Sequence, residues 1–148
     1  PLIWAFVIVL KEMRPVMFIE KISNLHIEDD KKNHWVSIPI ADDQEDIQVT
    51  IGMNFFNLRT HSHYFTNVTI SDEENKSIII NAPSPFEAVS KNNRDFTSMG
   101  MYYSPKIPAV PGNYMITVNL FDAHKQILDS QSTYFKLNKK SGDSNGKH

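Results

Sequence analysis

Strict alternation of apolar and polar residues constrains the fold of this chain more than any other feature. Successive side chains of a β-strand point to opposite faces, so a two-residue period marks a half-buried strand. Residues 46–56 keep this period throughout, with one face formed by Ile47, Val49, Ile51, Met53 and Phe55. No segment keeps the 3.6-residue period of a long amphipathic helix. We therefore expect an all-β protein.

Other short runs with strand character are separated by turn signals. We predict strands over 16–27, 35–40, 64–71, 77–80, 97–104, 114–121 and 132–137. In the 35–40 run we expect Val36, Ile38 and Ile40 to face the core, and Pro39 confines this strand to an edge or places the proline at a strand end. Residues 82–96 read as irregular, with a short helical turn over 85–91 as one alternative. Seven to nine short antiparallel strands predict a β-sandwich.

The C-terminal part carries a resemblance. The pattern PGNYMITVNLFD…STYFKL, within residues 110–137, resembles the last two strands of immunoglobulin-like domains. In those domains a turn precedes a Tyr that begins the penultimate strand. The resemblance implies an immunoglobulin-like β-sandwich in which the Tyr114 hydroxyl bonds to nearby backbone. The layout is also similar to short bacterial proteins built as one such sandwich. Function does not follow, because these sandwiches host many unrelated roles.

Composition narrows the functional class. The 148 residues suggest one domain, and the net charge of −2 argues against a general nucleic-acid binder, which would show a basic face. There is no Cys, so disulfides and thiolate chemistry are excluded. A chain without disulfides suits a reducing compartment, and we expect a cytoplasmic location with secretion as the alternative.

The two ends differ from the middle. The segment PLIWAFVIVL, residues 1–10, is too short to span a bilayer, and its β-branched residues favour a buried strand. Two alternatives stay open: a truncated membrane segment, or an upstream extension over residues 1–12 with the natural start at Met13 or Met17. We expect one domain over 1–138 and a disordered polar tail over 139–148.

Five aromatic side chains are the candidate binding residues. They lie on the face opposite the inferred core face of their strands: Trp35, Phe56, Phe65, Phe121 and Tyr134. Aromatics exposed together would form a protein or sugar platform, because they offer a large area at low entropic cost. The alternative is that residues 82–96 or the N-terminal strand cover them, or that some strands are buried on both faces.

Metal-binding motifs are weak. His61 and His63 form an H-x-H pair that could share one face of a strand, with His26, His34, His124 or a carboxylate as a third ligand. The simpler interpretation is a polar loop at 58–63. The acidic clusters at 42–46 and 72–74 lack the spacing of a calcium loop and read as solvated turns.

No catalytic or cofactor fingerprint is present. We therefore expect a non-enzymatic binding or structural module without a cofactor, which contacts another protein or itself through an aromatic patch or an exposed strand edge. A carbohydrate-binding sandwich that uses the same aromatics is the first alternative. A metal-dependent activity at His61 and His63 is the second. Membrane association is expected only if residues 1–10 are a truncated segment.

Overall fold

The computed structural model describes residues 19–29 and 31–140, and all regular structure in them is β. The all-β prediction is confirmed. The twelve strands in the described part of the chain are β1 (Lys21–Glu28), β2 (His34–Trp35), β3 (Ser37–Ile40), β4 (Asp46–Gln48), β5 (Thr50–Arg59), β6 (His63–Ser71), β7 (Ser77–Ile80), β8 (Ser84–Glu87), β9 (Phe96–Tyr103), β10 (Lys106–Pro108), β11 (Gly112–Phe121) and β12 (Ile127–Lys139).

Two sheets form an immunoglobulin-like β-sandwich. The smaller sheet has the order β2-β1-β5-β9. The larger has the order β3-β12-β11-β6-β7, and β8 also pairs with β6. β4 and β10 form a separate two-stranded pair. Between the strands described, every pair is antiparallel except β12 with β3, which is parallel. The strand count exceeds seven to nine because several elements are only two to four residues long.

The core lies between the inward faces of the central strands. In β5 and its approach, Val49, Ile51, Met53 and Phe55 are all buried, as the alternation predicts. In β11, Ile116, Val118 and Leu120 are fully buried. Burial of large aliphatic and aromatic side chains contributes about 1.5–3 kcal/mol each. This packing holds the two sheets together.

The C-terminal hairpin is also confirmed. β11 pairs with β12 along its whole length, from Gly112 opposite Leu137 to Phe121 opposite Ile127. The Tyr114 hydroxyl donates a hydrogen bond of 2.6 Å to the Val110 carbonyl. The bond to nearby backbone that the resemblance implies is therefore present.

The predicted strand over 35–40 is wrong in one respect. It is split at Val36, because β2 belongs to the smaller sheet and β3 to the larger one. The crossing places Val36 in solvent, with its side chain 77% exposed, while Trp35 packs against the core. Ile38 and Ile40 do face inward. A crossing between sheets breaks the two-residue period, which is why the inward assignment of Val36 fails.

Three further segments bear on the predictions. The alternative of a helical turn over 85–91 is wrong, since residues 84–87 form β8 against β6. β12 extends to Lys139, and the Lys140 N–H donates to the Ile40 carbonyl. The predictions for residues 1–12 and for the end of the tail lie outside the described residues. Within the described part of the chain, no helix has the length and hydropathy needed to cross a membrane.

Candidate functional site

The outer edge of β9 is the candidate site. β9 is the last strand of the smaller sheet and, among the described residues, pairs only with β5. Its eight residues, FTSMGMYY, contain no charge and no Pro. Edge strands usually carry Lys, Pro or bulges that prevent pairing with another chain. This edge lacks charge and Pro over its whole length, so its backbone is suited to accept an added strand.

A bulge in β5 turns an aromatic side chain toward this edge. The register between β5 and β9 shifts between Phe55 and Leu58, and Asn57 has a φ of 62°. An extra residue in one strand bends it and re-aims the neighbouring side chain. Phe55 stays fully buried, whereas the Phe56 side chain is 41% exposed. The bulge therefore delivers Phe56 to the surface beside β9.

An open cleft of about 790 Å³ lies there. Its lining combines apolar and cationic side chains, including Phe56, Val89, Lys91, Arg94, Phe96 and Met99. A cleft with apolar walls and a few polar groups is the usual form of a recognition pocket. We call the β9 edge and this cleft together the β9 site.

The loop 89–95 forms one wall of the cleft and is anchored at both ends. The Ala88 N–H donates to Ser62 O at 3.0 Å, and Ala88 O accepts from the His61 N–H at 2.8 Å. At the other end, Thr60 Oγ1 donates to Arg94 O at 2.6 Å. These hydrogen bonds fix the wall, so the cleft is largely pre-formed.

The charge of the β9 site is positive. Among the described residues, the lining of the cleft includes Lys91 and Arg94 and no acidic side chain. The Arg59 guanidinium lies 5.7 Å from the centre of the Phe96 ring, within cation–π range. Lys21 of β1 lies opposite Phe56. Asp95 lines an adjoining hollow, which shares Arg94 and Phe96 with the cleft. This arrangement favours an anionic group in the cleft.

A buried hydrogen-bond chain fixes the C-terminal end of β5 below the cleft. The Tyr64 hydroxyl accepts from the Arg59 N–H at 2.7 Å and donates to Glu20 Oε2 at 3.1 Å. Burial raises the pKa of Tyr64 to about 12, with a further rise from the Glu20 carboxylate that the Arg59 N–H opposes. The neutral phenol is thus the form that this site holds.

The five predicted aromatics occupy three separate places. Phe56 belongs to the β9 site. Phe65 and Phe121 are cross-strand partners on the larger sheet, where Lys125 Nζ lies 5.1 Å from the centre of the Phe65 ring. Trp35 and Tyr134 line a third cavity, of about 240 Å³, together with His34. The five side chains therefore lie on separate surfaces of the domain.

Of the two histidines in the H-x-H pair, His63 is the first residue of β6. His61 is in the preceding turn with a φ of 66°, and its Nδ1 lies 3.8 Å from Glu87 Oε2. Within the described residues, the group that brings three potential metal donors together is a different one: His26, Glu28 and His34. His26 lies in the predicted strand over 16–27 and Glu28 is two residues further along the chain, and this spacing was the available sequence signal for it.

Two side chains of the acidic turn at 72–74 accept backbone hydrogen bonds, one within the turn and one from the start of β11. Asp72 Oδ1 accepts from the N–H groups of Glu74 and Lys76, both at 2.9 Å. Glu73 Oε1 accepts from the Asn113 N–H at 2.7 Å. Side-chain acceptors of this kind stabilise tight turns.

Comparison with known proteins gives the fold and no family. No protein-family model matches the sequence, and no curated protein matches it. Among solved structures, the chain is similar to a bacterial adhesin from Mobiluncus mulieris with intramolecular disulfide, isopeptide and ester bond cross-links, at 7% identity and a TM-score of 0.55. It is also similar to β-glucuronidases from Bacteroides uniformis, at 12% identity and a TM-score of 0.54, and Parabacteroides merdae, at 13% and 0.50.

These matches concern parts of larger proteins. The adhesin match covers 80% of this chain and 57% of the adhesin chain. The Bacteroides uniformis match covers 78% of this chain and 14% of the enzyme chain. At such low identity the likeness shows a shared β-sandwich domain.

Proposed function

We propose that this domain is a non-enzymatic protein-binding module that accepts an extended segment of a partner protein along β9. The observation that carries the proposal is the edge itself: eight uncharged residues without Pro, next to a cleft lined by Phe56, Phe96 and Met99. In strand addition, main-chain hydrogen bonds provide affinity and side-chain pockets provide specificity. The β9 site supplies both elements.

The lining indicates the chemistry of the partner. Lys91 and Arg94 line the cleft, and Arg59 lies over Phe96. A partner segment with an acidic residue next to an apolar one would satisfy these cations and fill the apolar wall. We therefore infer a partner strand that alternates apolar and acidic side chains.

The test begins with a displayed library of random ten-residue peptides, selected on the full chain. We expect the selected peptides to combine apolar and acidic residues. The best peptide, made synthetically, is then titrated calorimetrically against variants. Phe56→Ala should weaken its binding by about tenfold or more, as for an anchor residue in an interface. Arg94→Gln should weaken it by several-fold.

Matched controls lie on the other sheet. Tyr134→Ala removes an aromatic side chain that is 65% exposed, and Lys125→Gln removes a cation that lies over Phe65. Neither should change the affinity. Loss of binding in Tyr134→Ala but not in Phe56→Ala would overturn the proposal, as would a failure to select any peptide. Saturable binding of oligosaccharides alone would favour the carbohydrate-binding alternative.

The oligomeric state tests whether a second copy of this chain, and not a different protein, occupies the β9 site. Light scattering after size-exclusion chromatography should give a monomer, because we propose a different protein as the partner. A dimer that Phe56→Ala disrupts would instead show that the β9 site binds a second copy of this chain.

A further inference from the structure

Three side chains with metal-binding atoms meet on the outer face of the smaller sheet. His26 and Glu28 alternate along β1, so both point to the same side, and His34 of β2 lies directly opposite Glu28. His26 Nε2 lies 2.7 Å from Glu28 Oε2. The His26 and His34 rings stack with their centres 4.0 Å apart. The donor atoms of all three residues lie within 4.8 Å of one another.

Two of these side chains, His26 and Glu28, are held in place and largely shielded from solvent, whereas His34 is exposed. The side chains of His26 and Glu28 are 14% and 8% exposed. Asn24 Nδ2 lies 3.2 Å from His26 Nδ1. A ring nitrogen that is held by a second side chain fixes the orientation of a ligating imidazole. The group is therefore partly pre-organised.

Gly52 provides the space for the His26 ring. It lies opposite His26 in β5, and a Cβ atom at this position would be 2.5 Å from His26 Nε2 and 2.6 Å from His26 Cε1. Such contacts are too short for packed atoms. A residue with a side chain would push the ring away from the sheet, so the glycine is required for the observed position of His26.

We propose that His26, Glu28 and His34 bind a divalent transition-metal ion, with Zn²⁺ as the preferred ion. Two imidazoles and one carboxylate are a ligand set that suits Zn²⁺. Ligands at about 2.0–2.2 Å from a tetrahedral ion are roughly 3.3 Å apart, so small side-chain rotations are enough to close the group around it. This site is independent of the β9 site, since β2 and β9 are the opposite edges of the same sheet.

Binding through His26 Nε2 requires a defined proton position. The lone pair of Nε2 must point to the ion, so the ring proton resides on Nδ1. Nδ1–H then donates to the Asn24 carboxamide oxygen once that amide turns over. Glu28 exchanges its contact with His26 for a bond to the ion. Asn24 is thus a positioning residue for the ligand ring.

Three protein ligands leave a fourth position of a tetrahedral ion for water or for a donor from another molecule. His34 is exposed, and it lines the cavity of about 240 Å³ that Trp35 and Tyr134 also line. A donor from another molecule could therefore approach the ion from solvent.

The test is calorimetric titration of the full chain with ZnCl₂. We expect a stoichiometry near one. His34→Gln removes a ligand at an exposed position and should weaken binding by at least about tenfold. Gly52→Ala keeps all three ligands and should weaken binding by about 10- to 100-fold, because it displaces the His26 ring.

Matched controls separate this site from others. Gly100→Ala introduces the same methyl group in the neighbouring strand, where it would meet the flexible end of the Asn54 side chain. His61→Gln with His63→Gln removes the H-x-H pair. Both controls should bind Zn²⁺ like the unchanged chain. Absence of saturable binding, or a loss that follows His61 and His63 and leaves His34→Gln unaffected, would overturn the proposal.

Circular dichroism identifies variants that fail to fold. If Gly52→Ala does not fold, His34→Gln still decides the question, because its side chain lies outside the core. In NMR spectra, the imidazole nitrogens of His26 and His34 should shift when Zn²⁺ is added, and those of His124 should not. Shifts confined to His124 would contradict the proposed site.

Discussion

The Tyr114 hydroxyl donates a hydrogen bond of 2.6 Å to the Val110 carbonyl, four residues earlier in the chain. The bond closes the turn that leads into β11, and the Tyr114 ring stacks on Phe135 with the ring centres 5.1 Å apart. Burial raises the pKa of Tyr114, and the Asp72 and Glu73 carboxylates raise it further. This corner fixes where the central strand of the larger sheet begins.

Tyr114→Phe should lower the free energy of unfolding by about 1–2 kcal/mol, because it removes one hydrogen bond and leaves the Val110 carbonyl without this donor. Urea denaturation measures the change. Tyr134→Phe, at an exposed position, should have almost no effect. Equal effects of the two substitutions would show that the corner bond contributes nothing.

Tyr64→Phe should lower the free energy of unfolding by about 1–3 kcal/mol, because the Arg59 N–H and the Glu20 carboxylate both lose a buried partner.

The raised pKa of Tyr64, about 12, also predicts that the fold is sensitive to alkaline pH. A phenol whose pKa is raised in the folded state stabilises the fold at pH values below its ordinary pKa of about 10. That contribution is lost as pH rises toward 12. Urea midpoints between pH 8 and 11 test this, and the pH dependence should weaken in Tyr64→Phe.

Asp29 gives the opposite dependence on pH. Desolvation raises its pKa, but hydrogen bonds from Asn33 and Lys31 outweigh this effect and lower the value to about 2. Among the described residues the buried Trp35 Nε1 has no hydrogen-bond partner, and the contacts to Asp29 Oδ1 come from the Asn33 and Lys31 N–H groups at 2.8 and 2.9 Å. The turn should therefore be stabilised above about pH 4 and weakened as pH falls through 2.

Carboxyl NMR shifts would report the Asp29 midpoint directly. Asp29→Ala should loosen the turn that places β2 against β1, which amide exchange of Lys31 and Asn33 measures. It should also weaken Zn²⁺ binding, since His34 follows this turn. An Asp29 midpoint near 4 would contradict the proposed turn geometry.

Ionic strength should affect binding at the β9 site. If Lys91 and Arg94 attract an acidic partner segment, raising NaCl from about 50 to 300 mM should weaken the binding of the selected peptide several-fold, because salt screens exposed charges. Arg94→Gln should reduce that salt dependence. A salt-independent affinity would show that the cations do not take part in recognition.

The periodic part of the sequence predicted the fold well. Alternation identified β5, β6, β11 and β12, because each of these strands buries one face against the core. It failed at Val36, where the chain passes from one sheet to the other and the period restarts. Local patterns report which residues share a face of one strand. They do not report which sheet the strand joins.

The candidate sites were harder to predict for the same reason. Phe56 was identified as outward-facing, but its cleft depends on a bulge and on loop 89–95, which is distant in sequence. His26 and His34 were considered only as additional ligands for His61. Their meeting with Glu28 depends on how β1 turns back into β2, and the support from Gly52 comes from β5. Only the register between strands brings these residues together.

Amide hydrogen exchange of the full chain, with and without the selected peptide, tests the central claim most directly. In an edge strand, alternate N–H groups point away from the sheet and exchange with solvent. We predict that N–H groups within Phe96–Tyr103 that exchange rapidly in the free protein become strongly protected when the peptide binds. Protection that appears elsewhere while these groups remain unprotected would contradict strand addition at β9.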